Sequence, residues 1–401
     1  MTNNENLKEN HVQKYYLKKI CYALHWFGLG DFWYEKFSRR NRLKSFYLLW
    51  MFLANAYIFL MIANEMLAHI RNDLNEKERG DLILFSFAHP AIAGKIFVLY
   101  IKREKVKEVL QILLEENKEE VFDQKLDRNS VRRAKIYCTC LFVNIYIILT
   151  SATVEGIKNH IEEGVPIRTE VTFVPTRDDS GLLVNVFRFF IQLHWWFMVS
   201  IMCAIDFLSI SSLVFLSYKF KRVRLHFEKF RCILIKEYKF KTGEVLDEMF
   251  RKNFVLGVKL HQHALRCSRK IQKSLGGLYS VQVCESISML VTCLLKLTMN
   301  ERNILATIKN LTFITCVILL NGAYMIAGGD VTYEASLISD SVFHSGWEYA
   351  KPNGSLRNLV VITLQRSQAP IRMTAFGVLS LSYDSFISVL RLSYSFFAVM
   401  Y

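Results

Sequence analysis

The chain has 401 residues, 52% hydrophobic and 13% aromatic, with only 17 Gly and 5 Pro, a balance that excludes a disordered or repeat protein. Lys and Arg outnumber Asp and Glu by 51 to 36. That excess lies between long apolar runs rather than on one face of a soluble domain, which favours an anionic membrane surface and disfavours nucleic acid.

The N-terminal stretch carries Lys8, Lys14, Lys18 and Lys19 among polar residues and lacks the short apolar core and small-residue cleavage site of a secretory signal. Residues 1–45 are expected to form a cytoplasmic segment, with the first span as its own insertion signal. A span needs roughly 20 mainly apolar residues, and seven stretches qualify. Phe46 to Ala63 has no charge, Leu82 to Ile101 has only Lys95, and Ile136 to Val154 has none. Phe189 to Tyr218 has only Asp206, Leu278 to Leu295 only Glu285, Asn310 to Gly329 none, and Met373 to Met400 has Asp384 and Arg391. The class is therefore all-α, a polytopic membrane protein with seven transmembrane helices.

Lys and Arg placement orients them. Residues 1–44, 102–135 and 219–273 hold nine, ten and sixteen basic residues, whereas 67–81, 155–183 and 296–303 hold three, three and two. The basic set is expected inside, giving a cytoplasmic N-terminus and an extracellular C-terminus. The segment 330–357, expected inside, has two basic and four acidic residues, but acids count for little in this rule. Residues 155–183, with Pro166, Pro175, Asp178, Asp179 and Gly181, read as an outer loop. Residues 219–273 read otherwise: Val223, Phe227, Phe230, Ile233 and Leu234 recur at helical spacing, so spans four and five are expected to continue into the cytoplasm and pack on one another. The organisation that follows is 1–45 N-terminal segment, 46–218 helices 1–4, 219–275 cytoplasmic extensions, 276–329 helices 5–6, 330–369 cytoplasmic loop and helix, and 370–401 helix 7.

Signatures of enzymes are missing: there is no Walker loop, GxSxG, HExxH or paired CxxC, so no catalytic residue, metal or cofactor is expected. The nine cysteines, Cys138 and Cys140 included, have no zinc-like spacing and read as buried thiols. His261 and His263 read as part of a solvated helical face. Asn310 and Asn353 begin glycosylation sequons, one in a span and one in a cytoplasmic segment, and neither should be modified. Lys95 and Glu285 are expected to snorkel or to meet polar groups between helices. Asp384 and Arg391, seven residues apart, share nearly one helical face with Ser388 and Ser395, so the last span needs protein or water on that side. Pro370 should break the chain after a short helix, Ser355 to Gln368, with Leu359, Val360, Ile362, Thr363 and Leu364 packed on its neighbours.

Trp347 in HSGWEY, then LVVITLQRSQAPIRMTAFG, then LSYDSFISVLRLSYSFFAVMY resemble in order and spacing the C-terminal signature of insect odorant receptors. Arg366, Ser367, Gln368, Pro370, Gly377, Asp384, Phe386, Ser393, Tyr394 and Ser395 occupy its places, and the resemblance covers about residues 335 to 401. It implies a tetrameric, odorant-gated non-selective cation channel used in olfactory sensing. A variable odour-binding subunit there joins a common co-receptor subunit in the plasma membrane of olfactory sensory neurons. It further implies that the extensions of helices 4–6 and the helix before Pro370 form a cytoplasmic anchor domain, and that helix 7 lines the pore. The gate position falls on Val399, with Phe396, Ser395, Leu392 and Ser388 along the pore wall. The chain ends at Tyr401 and lacks the co-receptor's longer tail and inner insertion, which implies the odour-tuning subunit. The implied partners are that co-receptor, a small volatile organic ligand, membrane lipid and permeating cations.

The ligand pocket that the resemblance implies lies in the outer halves of spans two to six. Those spans offer Phe85, Phe87, His89, Tyr146, Thr150, Thr153, Phe190, His194, Trp195, Met198 and Phe313, aromatic walls with a few polar groups that suit a small volatile molecule. A seven-helix G-protein-coupled-type chemoreceptor is the alternative; it would need the basic N-terminus outside and usually an outer disulfide, yet the outer segments have no cysteine. A transporter or membrane enzyme would display broken spans in matching halves or a convergent acid and base set, and neither is evident.

Overall fold

The computed structural model describes residues 12–35, 41–115, 123–163, 171–176, 178–239, 243–299, 304–349 and 354–400. Pro166 and Asn353 lie outside the described residues. Among them run α1 (Val12–Trp26), α2 (Asn41–Leu67), α3 (Glu76–Ile101), α4 (Arg103–Leu114), α5 (Gln124–Glu163), α6 (Leu182–Glu237), α7 (Gly243–Met299), α8 (Ile304–Phe343) and α9 (Gly354–Gln368). A hairpin of β1 (Thr374–Ala375) and β2 (Leu379–Ser380) precedes α10 (Tyr383–Met400). Helices α2, α3, α5, α6, α7 and α8 are long and apolar enough to cross a membrane. The chain is thus an all-α polytopic membrane protein.

α6 is the centre of the bundle. Its residues from Ile201 to Ser217 are buried nearly all round, as an all-apolar helix requires. The serines among them satisfy their hydroxyls on the helix's own carbonyls: Ser209 donates to Ile205 at 3.0 Å and Ser212 to Leu208 at 2.7 Å. α2 is the opposite case. Phe52, Phe59 and Leu60 are exposed, the side that an outer helix turns to lipid.

α6 and α7 have 56 and 57 residues, about 85 Å at 1.5 Å per residue, against roughly 30 Å of hydrocarbon. Beyond the apolar core they pack on one another as expected. Phe227 meets Phe254 at 5.5 Å and Phe230 meets Phe250 at 5.8 Å between ring centres. Val223 and Leu234 are buried there, but Ile233 is 50% exposed because it falls about a quarter of a turn off the stripe. His261 and His263 are buried, at 4% and 7% exposure, which corrects the solvated face read from the sequence. The charges around them lie on the other sides of α7, and helical register rather than local composition sets His263 against the end of α4, 3.8 Å from Glu115, and His261 towards Arg366 of α9.

Several segments read as connections are helical. α1 buries Leu17, Ile20, Cys21 and Leu24, and α4 buries Val106, Val109, Leu110 and Leu113, both at three- and four-residue spacing. α5 continues to Glu163, into what reads as a loop, and α8 continues to Phe343, past the end of the sixth apolar run. The α8 extension carries Asp330 and Glu334, which meet Arg133 of α5 at 2.5 Å and Arg224 of α6 at 3.1 Å, so its acids are interhelical contacts rather than loop charges. Asn310 is helical and donates to the Cys293 carbonyl at 2.9 Å. Of the nine cysteines, Cys140, Cys232 and Cys284 are exposed and the other six buried.

The break at Pro370 is present: α9 ends at Gln368. Val360 and Thr363 are buried, whereas Ile362 is 61% exposed, so one expected packing residue of α9 faces outward. The last helix does not start at Met373. Residues 374–380 form the hairpin, with Thr374 opposite Ser380 and Ala375 opposite Leu379, and its turn uses Phe376 and Gly377 at φ 56° and 73°, where glycine carries no steric cost. Gln272 of α7 clamps it, donating to the Thr374 carbonyl and accepting from the Thr374 N–H, both at 2.8 Å. Gly328 of α8 makes room for the residue after it: a Cβ there would stand 2.3 Å from the Leu381 Cβ.

Candidate functional site

Two polar-aromatic clusters and one exposed helix face stand out. The first cluster joins α2, α3, α5 and α6. Phe85 and His89, four residues apart on α3 and so on one face, stack at 5.3 Å. Phe85 meets Trp195 edge-on at 6.0 Å, and His89 meets His194 at 5.7 Å. Such edge-to-face pairs add to the burial of their area. Leu149, Tyr146 and Trp196 close the side towards α5. His89 Nδ1 lies 2.6 Å from Glu65 Oε2, with the two side chains 2% and 1% exposed. Tyr57 of α2 joins the set through its ring, 5.4 Å from His194, and its hydroxyl donates to the Phe190 carbonyl.

The expected ligand residues therefore divide. Phe85, His89, Tyr146, His194 and Trp195 come together, and Met198 is buried on the same helix as the last two. Thr153 accepts a hydrogen bond from Gln192 at 3.1 Å beside them. Thr150 is exposed and turns its hydroxyl back to the Tyr146 carbonyl at 2.6 Å. Phe87 and Phe190 are 48% and 46% exposed. Phe313 sits elsewhere, against Leu84, Ala88, Met289 and Leu290, on the side of α3 that faces α7 and α8. Glu65 and Tyr57 were not expected. Glu65 falls just past the charge-free part of the first span, where an acid reads as a boundary, and only its pairing with a mid-span histidine marks it.

The second cluster ties α3, α6, α7 and α8. Lys95 is fully buried, and its Nζ lies 3.0 and 3.2 Å from the two Asp206 carboxylate oxygens, 2.8 Å from Glu285 Oε2 and 2.6 Å from Gln282 Oε1. The Tyr324 hydroxyl donates to Asp206 at 2.7 Å, and Gln282 donates to Ser286 at 3.1 Å. Burying a charge in a membrane core is costly unless it is paired and hydrogen-bonded. Here one ammonium satisfies two carboxylates from different helices. The sequence marked Lys95, Asp206 and Glu285 as lone charges in three spans; their opposite signs were the signal that they belong together.

The exposed face is on α10. Ser385, Val389 and Ser393 are buried against α7 and α8, while Asp384, Ser388, Arg391 and Ser395 are exposed. That stripe includes Leu392 and Phe396 at 44% and 50% and ends with Val399 at 86% exposure. At its base the Tyr383 hydroxyl donates to Asp330 at 2.6 Å. All the expected pore-wall residues thus lie on the side of α10 turned away from its own chain. Among the described residues no group of His, Cys, Asp and Glu is arranged to hold a metal ion.

Residues 83–394 match the family model described as 7tm Odorant receptor. The chain is similar in fold to the insect olfactory receptor OR5 from Machilis hrabei in complex with eugenol, with a TM-score of 0.77 at 12% identity over 98% of both chains. A second structure of the insect olfactory receptor OR5 from Machilis hrabei gives 0.75 at 13% identity, over 98% of this chain and 99% of that one. No curated protein sequence matches.

Proposed function

The chain belongs to the 7tm odorant receptor family, and from that premise we propose that it is the odour-binding subunit of an odorant-gated, non-selective cation channel. In this reading it spans the plasma membrane of olfactory sensory neurons seven times, with the N-terminus inside, and assembles with a co-receptor subunit into a heteromeric tetramer. The observation that carries the channel role is α10. It is a helix of 18 residues, about 27 Å at 1.5 Å per residue, whose polar side faces no part of its own chain. In a bilayer such a side needs water or protein, and both are supplied where copies of α10 surround a pore.

The volatile ligand binds at the aromatic cluster of Phe85, His89, Tyr146, His194 and Trp195, where apolar burial supplies most of the affinity and His89 and Tyr146 orient one polar group. The neighbour bound to eugenol, a small aromatic molecule, supports that ligand class. Binding shifts the closed and open states by its differential affinity for them. The extensions of α6, α7 and α8 with α9 form the cytoplasmic anchor domain. The G-protein-coupled alternative is not favoured, since the basic segments keep the N-terminus inside.

The test is co-expression with a co-receptor and exposure to a panel of volatiles. An odour-evoked cation current is expected, with Val399→Ala changing its ion selectivity or rectification. Silence across the panel with surface delivery verified would refute the channel reading, and an unchanged current in Val399→Ala would remove the gate from that position.

A further inference from the structure

The apolar walls of the aromatic cluster do not explain Glu65. Its side chain is 1% exposed, and only half of its carboxyl group is engaged. Oε2 lies 2.6 Å from His89 Nδ1, whereas Oε1 is buried with no hydrogen-bond partner among the described residues. A buried carboxyl oxygen left in this way is costly, because its hydration is lost and nothing replaces it. The group is also held in place. His89 fixes the carboxyl, and the His89 ring is itself set between Phe85 at 5.3 Å and His194 at 5.7 Å. A second polar pair lies close by: His69 Nε2 stands 2.7 Å from the Ser86 hydroxyl, and His69 is exposed. His69 comes four residues after Glu65 and Ser86 three before His89, so the two pairs are one helical turn apart. Together they form a polar seam between α2 and α3 that runs from the surface to Glu65.

We propose that Glu65 is a specificity-determining residue of this cluster and selects small volatiles that carry a hydroxyl group, alcohols or phenols, whose O–H donates to Oε1. The inference rests on the reading of the cluster as the ligand site and names a group that orients the ligand there. Phe85, Trp195 and the Tyr57 ring take the apolar remainder of the molecule. An ether, ester or ketone of the same shape brings only acceptors to the carboxyl oxygen. Its entry would expel water and leave Oε1 unpaired, which is how a polar site rejects a close analogue. An amine is disfavoured, since an ammonium would give up its own hydration to share a carboxyl group that His89 already engages.

The experiment uses the purified full-length chain in phosphatidylcholine nanodiscs and measures affinity from the ligand-dependent rise in melting temperature. The probes are benzyl alcohol, phenylethanol and octanol, each paired with its methyl ether. An alcohol is expected to bind roughly 10- to 100-fold more tightly than its ether, the worth of one hydrogen bond to a charged acceptor. Glu65→Met removes the acceptor at similar volume and should bring each pair to within about twofold, chiefly by weakening the alcohol. Retained ether affinity shows that the variant's site is folded. Glu65→Gln keeps a neutral acceptor, should lower the preference to roughly three- to tenfold, and decides the matter where Glu65→Met fails to fold. Trp195→Ala should weaken alcohol and ether alike and leave their ratio as it was. Equal affinities in the parent, tighter ethers, no binding of any of the three alcohols, or a parental ratio that survives in either Glu65 variant would each overturn the inference. Where Trp195→Ala still weakens both members of a pair, the reading of the cluster as the ligand site stands without it. If Trp195→Ala changes neither affinity, the ligand lies elsewhere and both readings fall.

Discussion

Lys95→Met tests whether the buried charge cluster is a structural tie. The ammonium holds Asp206 of α6 and Glu285 of α7 within 3.0 and 2.8 Å, and removing it leaves two carboxyl groups facing one another with 1% and 6% exposure. Breaking a buried pair from one side costs about 3–5 kcal/mol. For a chain of this size that corresponds to a fall in melting temperature of about 4–6 °C. The six buried cysteines give the assay: a thiol-reactive fluorophore reports their unmasking as the purified protein is heated. Neutralising all three groups, with Lys95→Met, Asp206→Asn and Glu285→Gln together, should restore most of the loss, because the cost lies in the uncompensated charge rather than in the side chain removed. A single variant melting within about 1 °C of the parent, or a triple variant no better than the single one, would refute the reasoning.

Other expectations follow from the same geometry. His261 lies in the part of α7 below the apolar run, and its imidazole is pushed down to about 4 by burial and by Arg366. With an unfolded value near 6.5, the folded state binds fewer protons between those values. Stability is then full above pH 6.5 and falls as pH drops towards 4, by on the order of 2 kcal/mol at pH 5. His261→Gln should flatten that part of the melting profile. Gly328→Ala places a methyl group 2.3 Å from the Leu381 Cβ; an overpacking cost of about 1–3 kcal/mol is expected, read as easier proteolysis between residues 369 and 382. Phe254→Ala empties the ring stack with Phe227 and Phe250 and should cost about 3–5 kcal/mol by the same thiol assay. Trp195→Ala should raise the odorant concentration for half-maximal current while leaving surface expression unchanged, whereas Phe87→Ala, on an exposed side chain, should alter neither.

The membrane class was legible because it rests on length and composition: an apolar run of about 20 residues has few alternatives. The stripe of Phe227, Phe230 and Leu234 likewise announced a packed extension of α6. Contacts distant in sequence were not legible. Lys95 and Asp206 are 111 positions apart, and nothing local to either one names the other. The hairpin was missed because two-residue strands show no alternation, and Met373, Ala375 and Leu379 look like the start of an apolar helix. Its turn at Phe376–Gly377 and its clamp by Gln272 are decided by tertiary contacts. His261 was misread for a related reason: in a sequence dense with Lys and Arg, composition suggests solvent, but the register of α7 turns that residue towards α9.

The hairpin clamp gives α10 the mechanics of a lever. Its root is fixed to α7 through Gln272 and to α8 through Gly328 and Asp330, while its far end carries Val399 with 86% of its surface free. Over ~27 Å of helix, a tilt of ~5° about that root carries the tip ~2 Å sideways while the clamped end moves by a small fraction of that. Small adjustments in the packing around the root are thus magnified at the one position where the helix has least to hold it.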